Sequence, residues 1–170
     1  MMQITDQGMA LDRYTVMPRT LIFLTRGCEV LLLRGAPHKT LWAGLLNGVG
    51  GHLEPGEDVL RSACREVQEE TGLLTPDLVL RGLVHVEGQP GRPGVLLFVY
   101  VGQAPAGPLA PSAEGSLEWH TIEALPRDEL VEDLPDLLPR LLTPAGPGQF
   151  VYGHYSARPG GVLSFRLGAP

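Results

Sequence analysis

Apolar residues in this chain occur in short runs separated by glycine and proline, a pattern typical of a sheet built from several strands. Two runs rich in leucine, isoleucine and valine, Arg19 to Arg26 and Cys28 to Arg34, meet at Gly27 and predict neighbouring strands. Two more, Leu78 to Glu87 and Gly94 to Val101, flank a turn-rich segment and predict a second pair. The remaining predicted strands are short: Ser116 to Thr121, and a hairpin of Gln149 to Ser156 and Val162 to Leu167 around Pro159-Gly160-Gly161.

Helical spacing is present in two segments. The first predicts a helix from about Glu57 to Thr71, ended by Gly72, because glycine readily takes the left-handed conformation of a C-terminal cap. The apolar stripe expected to pack on the sheet consists of Leu60, Ala63, Cys64 and Val67. The second segment has Leu130, Leu134, Leu137, Leu138 and Leu141 at helical spacing, with bounds left open by Pro135 and Pro139. Strands interleaved with two helices predict a mixed α/β or α+β sandwich, one domain over residues 1–170 with a loose lead-in over residues 1–16.

The composition agrees with one packed domain. Hydrophobic residues make up 44% of the 170 residues and charged residues 19%. The net charge of −6 argues against binding long nucleic acid by bulk charge, whereas single nucleotides remain possible because metal ions can neutralise their phosphates. No apolar run approaches the ~18–20 residues of a membrane span, and no secretory signal is visible. We therefore expect a cytoplasmic protein that does not bind membranes, with Cys28 and Cys64 as reduced thiols.

One face of the first predicted helix carries three carboxylates. Glu66, Glu69 and Glu70 are spaced i, i+3 and i+4, which places their side chains together. Carboxylates this close repel one another, and oxygen coordination of a hard cation such as Mg²⁺ or Mn²⁺ offsets the repulsion. Arg65 is adjacent and is able to pair with a carboxylate and fix its orientation. Taken alone, the three acids have an alternative interpretation as a solvated helix face.

The acidic helix lies inside a longer segment, residues 51–73, that resembles the Nudix box, G-x5-E-x7-R-E-U-x-E-E-x-G-U with U apolar. Every defined position is matched, by Gly51, Glu57, Arg65, Glu66, Val67, Glu69, Glu70, Gly72 and Leu73. A chance match at one start point has a probability on the order of 10⁻⁹ from average residue usage. The resemblance implies the Nudix fold, a mixed β-sheet sandwiched between helices in which the box forms a loop–helix–loop. It also implies hydrolysis of a nucleoside diphosphate linked to another group, by attack of water on phosphorus with Mg²⁺ or Mn²⁺.

Carried over by position, the resemblance implies roles for the box residues. The metal ligands would be Glu66, Glu69 and Glu70, with the Gly51 carbonyl as an additional ligand. Arg65 would orient Glu66, and Glu57 would support the loop and the metal network.

Members of this family often use a further glutamate outside the box as metal ligand or base. Glu114 is the candidate because it precedes the predicted strand Ser116 to Thr121, and Glu118 is the competitor. The alternative for Glu114 is a surface carboxylate in a loop. The general base stays open, since Glu57, Glu69 and Glu114 are each possible.

Features outside the box resemble the MutT-type branch, which hydrolyses 8-oxo-dGTP and related purine triphosphates. Asn47 lies in a segment similar to W-N-G-x-G-G, whose asparagine contacts the purine; its alternative role is support of the turn. Glu132 and Asp133 align with a segment whose acids reach the base, with helix capping and solvation as the alternative. Ala113 to Trp119 and Phe150 to Tyr155 are also similar to this branch.

Two positions depart from the family pattern. His52 stands where the family usually has lysine, and Leu130 replaces a large aromatic residue that commonly stacks on the base. Stacking would then come from Trp42, Phe98 or Tyr100, of which the last two are equally suited to the core.

The first hypothesis for function is a metal-dependent nucleoside triphosphate pyrophosphohydrolase, acting on an oxidised purine nucleotide such as 8-oxo-dGTP and releasing the monophosphate and pyrophosphate. A second is hydrolysis of dinucleoside polyphosphates, nucleotide sugars or other nucleoside diphosphate derivatives. A third, a nucleotide-binding sensor without catalysis, is disfavoured because a pure binder has no need of the full acidic cluster. The expected partner is a small nucleotide, and the expected state is a monomer or a homodimer.

The net charge is unevenly distributed along the chain. The box, residues 51–73, has a net charge of −4, and residues 128–136 have −5, which leaves +3 for the rest. The acidity is therefore concentrated in the segment predicted to hold metal and in the segment predicted to contact a base.

Overall fold

The strands and helices of the computed structural model follow the predicted order. The structure describes residues 13–74, 77–142, 150–158 and 163–168. Within these residues the strands are β1 Val16–Arg26, β2 Glu29–Gly35, β3 Leu46–Asn47, β4 Leu78–Val86, β5 Gly94–Gln103, β6 Gly115–Thr121, β7 Val151–Ala157 and β8 Leu163–Leu167. The helices of the same residues are α1 Val59–Thr71 and α2 Leu134–Leu142, with short 3₁₀ turns at Ile122–Ala124 and Arg127–Glu129.

The strands form one mixed sheet in the order β3-β2-β1-β5-β4-β7-β8, with β6 also paired to β2. β1 and β5 are parallel from the pair Val16–Gly94 to the pair Thr25–Gln103, and β4 and β7 are also parallel. The other paired strands are antiparallel. The predicted mixed sheet is therefore confirmed.

Each face of the sheet carries its own hydrophobic core, because side chains of β1 alternate between the two faces. Phe23 packs in the core that holds the leucines of α2, whereas Ile22 packs in the core that holds Ala63 and Val67 of α1. The sheet is thus sandwiched between two helices, as the resemblance implied.

A side chain caps the start of helix α1, and a backbone N–H group caps its end. The Asp58 carboxylate accepts hydrogen bonds from the backbone N–H groups of Leu60 and Arg61, both at 2.9 Å, so the helix begins at Val59 rather than at the predicted Glu57. Gly72 ends it with φ 75°, as predicted. The predicted apolar stripe was wrong at Leu60, which is 42% exposed, because Val59 one position earlier packs against the core instead.

Helix α2 is shorter than the leucine spacing predicted. Leu130 precedes the helix and forms a β-bridge with Leu46, while Leu134, the first residue of α2, is fully buried. Pro135 lies in the first turn, where a missing N–H breaks no helical hydrogen bond, and Pro139 lies inside the helix.

The closing hairpin is confirmed in its strands, β7 and β8, while its predicted turn at residues 159–161 lies outside the described residues. So does most of the predicted lead-in. Tyr14 lies at the end of that lead-in, and its hydroxyl is hydrogen-bonded to His85 Nε2 at 2.7 Å. No helix of the described residues is long and apolar enough to span a membrane.

Candidate active site

The glycine-rich loop that leads into the box, residues 47–51, runs beside β1. Thr20 N donates to the Gly51 carbonyl at 2.9 Å, and Ile22 and Val49 exchange backbone hydrogen bonds of 2.7 and 3.1 Å. Gly50 has φ 142°, and a Cβ there would collide with the Thr20 carbonyl, so only glycine fits this position. The Gly51 carbonyl oxygen, a predicted metal ligand, already accepts one hydrogen bond and retains a second lone pair.

Arg65 connects the loop to the helix through Glu57. Its Nη2 and Nε donate to the two Glu57 carboxylate oxygens at 2.8 and 3.1 Å, and Nη2 also donates to the His52 carbonyl at 3.0 Å. The Glu54 N–H donates to Glu57 at 2.7 Å. Arg65 first, and then this N–H, lower the pKa of Glu57 to about 2. Glu57 therefore ties the loop, through Glu54, to Arg65 of helix α1.

Arg65 also contacts two of the three clustered carboxylates. Its Nη1 donates to Glu66 Oε1 at 2.9 Å and to Glu69 Oε2 at 3.1 Å. The contact between Arg65 and Glu66 is the one that the resemblance implied. Glu69 differs from its neighbour because its side chain is 58% exposed.

Glu66 and Glu70 are buried carboxylates. Burial raises the pKa of Glu66, and Arg65 opposes that shift. Burial raises the pKa of Glu70 to about 7, although the Gly50 N–H donates to it at 2.9 Å. Burial disfavours the charged forms of these two neighbouring acids, and a bound cation would stabilise those charged forms.

The donor set fits a hard cation in its chemistry, since every predicted side-chain ligand is a carboxylate oxygen. Its geometry is less complete. Within the described residues, no three aspartate, glutamate, histidine or cysteine side chains converge closely enough to hold a metal ion. Arg65 Nη1 bridges Glu66 and Glu69, of which Glu69 is at the surface, and Glu70 is bonded to the Gly50 N–H instead.

The two glutamates outside the box have different surroundings. Glu118 is held by Arg34, whose Nε and Nη2 donate to it at 2.6 and 3.0 Å. Glu114 lies before β6, pairs with Lys39 at 2.5 Å, and contributes to raising the pKa of Glu70. Both glutamates are therefore in ion pairs, and of the two it is Glu114 whose charge acts on Glu70.

A cavity of about 350 Å³ adjoins this cluster. Its lining includes Glu70 together with all three residues predicted to contact a base, Asn47, Glu132 and Asp133. Residues from distant parts of the chain are thus brought to one cavity that reaches the acidic helix.

The three predicted base-contacting residues differ in how they are held. Asn47 Oδ1 accepts a hydrogen bond from Gly48 N at 2.8 Å, so the amide does support the turn, while its Nδ2 group remains a donor for a ligand. Asp133 is buried and hydrogen-bonded by Tyr155. Burial raises the pKa of Asp133 to about 6, and the Tyr155 hydroxyl opposes the shift. Glu132 is exposed at the cavity.

Of the three aromatic residues considered for stacking, only Trp42 lines the cavity. Tyr100 is buried in the core beneath α1, and Phe98 packs against that same core. Trp42 is 44% exposed and has φ 57°, a conformation uncommon for a side chain of this size. Its indole is therefore available at the cavity, whereas the other two are used in the core.

Sequence reasoning missed several polar residues of this lining, among them Arg19, Lys39 and Tyr155. The signal for Arg19 was its alternation with Leu21 in β1, which places both side chains on one face of the sheet. Lys39 and Tyr155 gave no comparable signal, because their proximity to the site depends on the loop after β2 and on the pairing of β7 with β4.

An acidic loop–helix–loop beside a cavity, on a mixed sheet between two helices, defines the Nudix class of proteins. The family model described as the NUDIX domain matches residues 16–141, and the chain belongs to this family.

Comparison with individual proteins gives more distant similarities. The NAD-capped RNA hydrolase NudC of Chromobacterium violaceum is 30% identical over 114 residues, which are 65% of this chain and 40% of that protein. The uncharacterized Nudix hydrolase YvcI of Bacillus subtilis is 33% identical over 98 residues, 55% of this chain and 59% of that one. The matches therefore span only about two to three fifths of these relatives. The crystal structure of a MutT protein from Bacillus halodurans has a TM-score of 0.70 at 24% identity, covering 89% of this chain and 97% of that one, a likeness of fold.

Proposed function

We propose that the protein is a divalent-metal-dependent hydrolase of nucleoside diphosphate derivatives, and that its substrate is a purine nucleoside triphosphate such as 8-oxo-dGTP. The products would be the monophosphate and pyrophosphate. The observation that carries this proposal is the single cavity that joins Glu70 of the acidic helix to Asn47 and Asp133. Its volume of about 350 Å³ lies in the range of small-molecule sites.

The residues that would hold the metal are Glu66, Glu69 and Glu70, with the Gly51 carbonyl. When bound, Mg²⁺ or Mn²⁺ would neutralise phosphate charge and make a nearby water more acidic. Arg65 keeps Glu66 in place through its 2.9 Å hydrogen bond. Glu57 anchors Arg65 in turn, so the carboxylates are positioned before a substrate arrives.

The attacking water must lose a proton to a carboxylate as the new bond to phosphorus forms and pyrophosphate leaves. Glu57 is poorly suited because Arg65 lowers its pKa to about 2. The pKa of Glu114 is also lowered, by Lys39. The remaining candidate is Glu69, which shares one Arg65 N–H group with Glu66 and is 58% exposed, so that it can pass a proton to solvent. We propose Glu69 as the base, and Glu114 as a carboxylate that modulates Glu70.

The purine would be read by one amide and one buried acid. The Asn47 amide donates from Nδ2, and Asp133 accepts when ionised and donates when protonated. A group with a pKa of about 6 has access to both states near neutral pH. Trp42 would stack on the base, as aromatic side chains do on purines.

The test is hydrolysis of a nucleotide panel with Mg²⁺ and identification of each product. The panel contains 8-oxo-dGTP, dGTP, dATP, dCTP, NADH and ADP-ribose, and Glu70→Gln is the matched inactive variant. We expect the oxidised or ordinary purine triphosphates to be cleaved fastest. Asn47→Ala and Asp133→Ala should raise KM for purines more than for dCTP, and equal changes would contradict the base assignment.

A second candidate substrate class is supported by the similarity to NudC, a protein named as an NAD-capped RNA hydrolase. Faster cleavage of NADH or ADP-ribose than of any triphosphate would favour that class. Absence of cleavage across the panel, with Glu70→Gln indistinguishable from the wild type, would overturn the enzyme assignment and favour a binding role.

A further inference from the structure

Arg19 is a cation whose burial is not fully compensated. Among the buried side-chain nitrogen and oxygen atoms of the described residues, its Nε alone has no hydrogen-bond partner. Burial lowers the pKa of Arg19, and the charge of Glu66 opposes that shift. A buried guanidinium donor without a partner costs free energy, and such a group in a native structure calls for an explanation in function.

The side chain of Arg19 belongs to the cavity face of the sheet. Arg19 lies opposite Leu97 in the parallel pairing of β1 with β5, and both residues line the cavity together with Leu21. Glu70 lines the same cavity. The guanidinium is therefore close to the acidic helix and open to the space where the nucleotide is proposed to bind.

Arg19 also lies beside the box position that departs from the family pattern. It forms an antiparallel β-bridge with His52, the residue that stands in place of the usual lysine. The positive charge at this point is therefore carried by Arg19 in β1.

We propose that Arg19 binds a phosphate of the nucleotide and makes the site select phosphorylated ligands over nucleosides. The inference rests on the proposed function for the location of the nucleotide. A guanidinium presents several N–H donors in a planar fork that matches phosphate oxygens. A phosphate in the cavity would thus pair with the cation that lines it, whereas the acids of the site would repel phosphate without such a cation.

The experiment measures binding of dGMP, deoxyguanosine and inorganic pyrophosphate by calorimetry, with Mg²⁺ present. dGMP has no anhydride to be cleaved, and pyrophosphate carries no base. The proteins are the wild type, Arg19→Gln, Arg19→Lys and the control Arg26→Gln. Arg26 lies on the same strand, is exposed, and pairs with Glu29 away from the cavity.

We expect Arg19→Gln to weaken dGMP and pyrophosphate at least tenfold and to leave deoxyguanosine unchanged. Arg19→Lys should recover part of the affinity, because the charge remains while the fork is lost, and Arg26→Gln should match the wild type. If the wild type binds dGMP no more tightly than deoxyguanosine, the inference is overturned. Equal weakening of all three ligands, or of none, would do the same, since Arg19 would then only shape the cavity or balance Glu66.

A second measurement uses the wild type alone, in case the variants fold poorly. The Arg19 Nε–H resonance in a ¹H–¹⁵N spectrum should shift on addition of pyrophosphate, and a resonance that does not move would contradict the proposal. These outcomes are separate from hydrolysis. The wild type could cleave no nucleotide while Arg19→Gln still loses the preference for phosphorylated ligands. That result would refute the proposed function and leave this inference standing.

Discussion

Gly51 and Glu66 are in such close contact that a Cβ on Gly51 would overlap the Glu66 carboxylate. Glycine at position 51 therefore leaves room for the Glu66 carboxylate, since any side chain there would displace that carboxylate. We expect Gly51→Ala to lower kcat/KM by about 100-fold, the size of effect known for a misplaced catalytic group. The measurement is steady-state hydrolysis of the best substrate in the panel. Gly107→Ala is the control, because a Cβ there meets only the Leu73 side chain at an ordinary 3.6 Å.

Arg65→Lys keeps a positive charge and removes the planar fork. Lysine cannot hold both oxygens of Glu57 while also reaching Glu66, so the carboxylates should lose their fixed orientation. We expect activity or Mg²⁺ affinity to fall by about 10–100-fold, as for other groups that orient metal ligands. Arg61→Lys, an exposed position on the same helix, should change neither quantity. Full activity in Arg65→Lys would show that the network is dispensable.

The two glutamates outside the box form a matched pair of variants. Glu114→Gln removes a charge that acts on Glu70, so we expect a lower kcat and an altered pH dependence of hydrolysis. Glu118→Gln removes an ion pair with Arg34 and should leave kcat unchanged while reducing stability slightly. Thermal unfolding and steady-state kinetics of both variants separate the two effects. The reverse pattern would move the functional role to Glu118.

Asp133 makes stability depend on pH in a predictable direction. The pKa of Asp133 is about 6 in the folded protein, against an ordinary value of 3.8, so the folded state holds its proton longer than the unfolded state. Stability therefore falls as pH rises from about 4 to 6, by at most about 3 kcal/mol, and then levels off. The measurement is urea unfolding of wild type and Asp133→Asn across this range.

The stability difference between these two proteins isolates Asp133, because Glu70 contributes a similar slope to both. Asp136→Asn, at an exposed position in α2, is the control and should run parallel to the wild type. A wild-type curve that also runs parallel to Asp133→Asn would mean that this carboxyl titrates normally.

Trp42 offers an optical signal for base binding. The chain has two tryptophans, and only Trp42 lines the cavity; Trp119 stacks under the Arg26 guanidinium instead. We expect a purine nucleotide to quench fluorescence in Trp119→Phe and to have no such effect in Trp42→Phe. Trp42→Ala should raise KM about tenfold, the usual range for loss of one base–aromatic stack. Quenching that survives in Trp42→Phe would place the base elsewhere.

The parts of the fold that the sequence predicts well are those specified by neighbouring residues. Helix α1 and its cap at Gly72 depend on periodicity and on one glycine with φ 75°, both local features. Arg65 and Glu66 are adjacent in sequence, so their contact follows once the helix forms. The boundary of α1 was less accurate, because Asp58 competes successfully as the capping residue.

The parts that could not be predicted depend on pairing between distant segments. The pairing of β6 with β2 places Glu118 opposite Leu32 and near Arg34, with which it forms an ion pair, whereas it is the charge of Glu114 that acts on Glu70. The burial of Phe98 and the exposure of Trp42 were likewise undecided, since an aromatic residue suits a core and a binding cavity equally well.

The parallel pairing of β1 with β5 also constrains the order in which the chain folds. Residues 27–93 lie between these two central strands, and they contain the whole box. Closing so long a loop costs chain entropy before the strand contacts can offset that cost. The central strands therefore pair more slowly than local hairpins form. The proposed metal site depends instead on a shorter closure, because Gly51 binds β1 through the Thr20 N–H, 31 residues away. Recovery of metal affinity during refolding would then report docking of the glycine loop on β1, not formation of the helix that carries the acids.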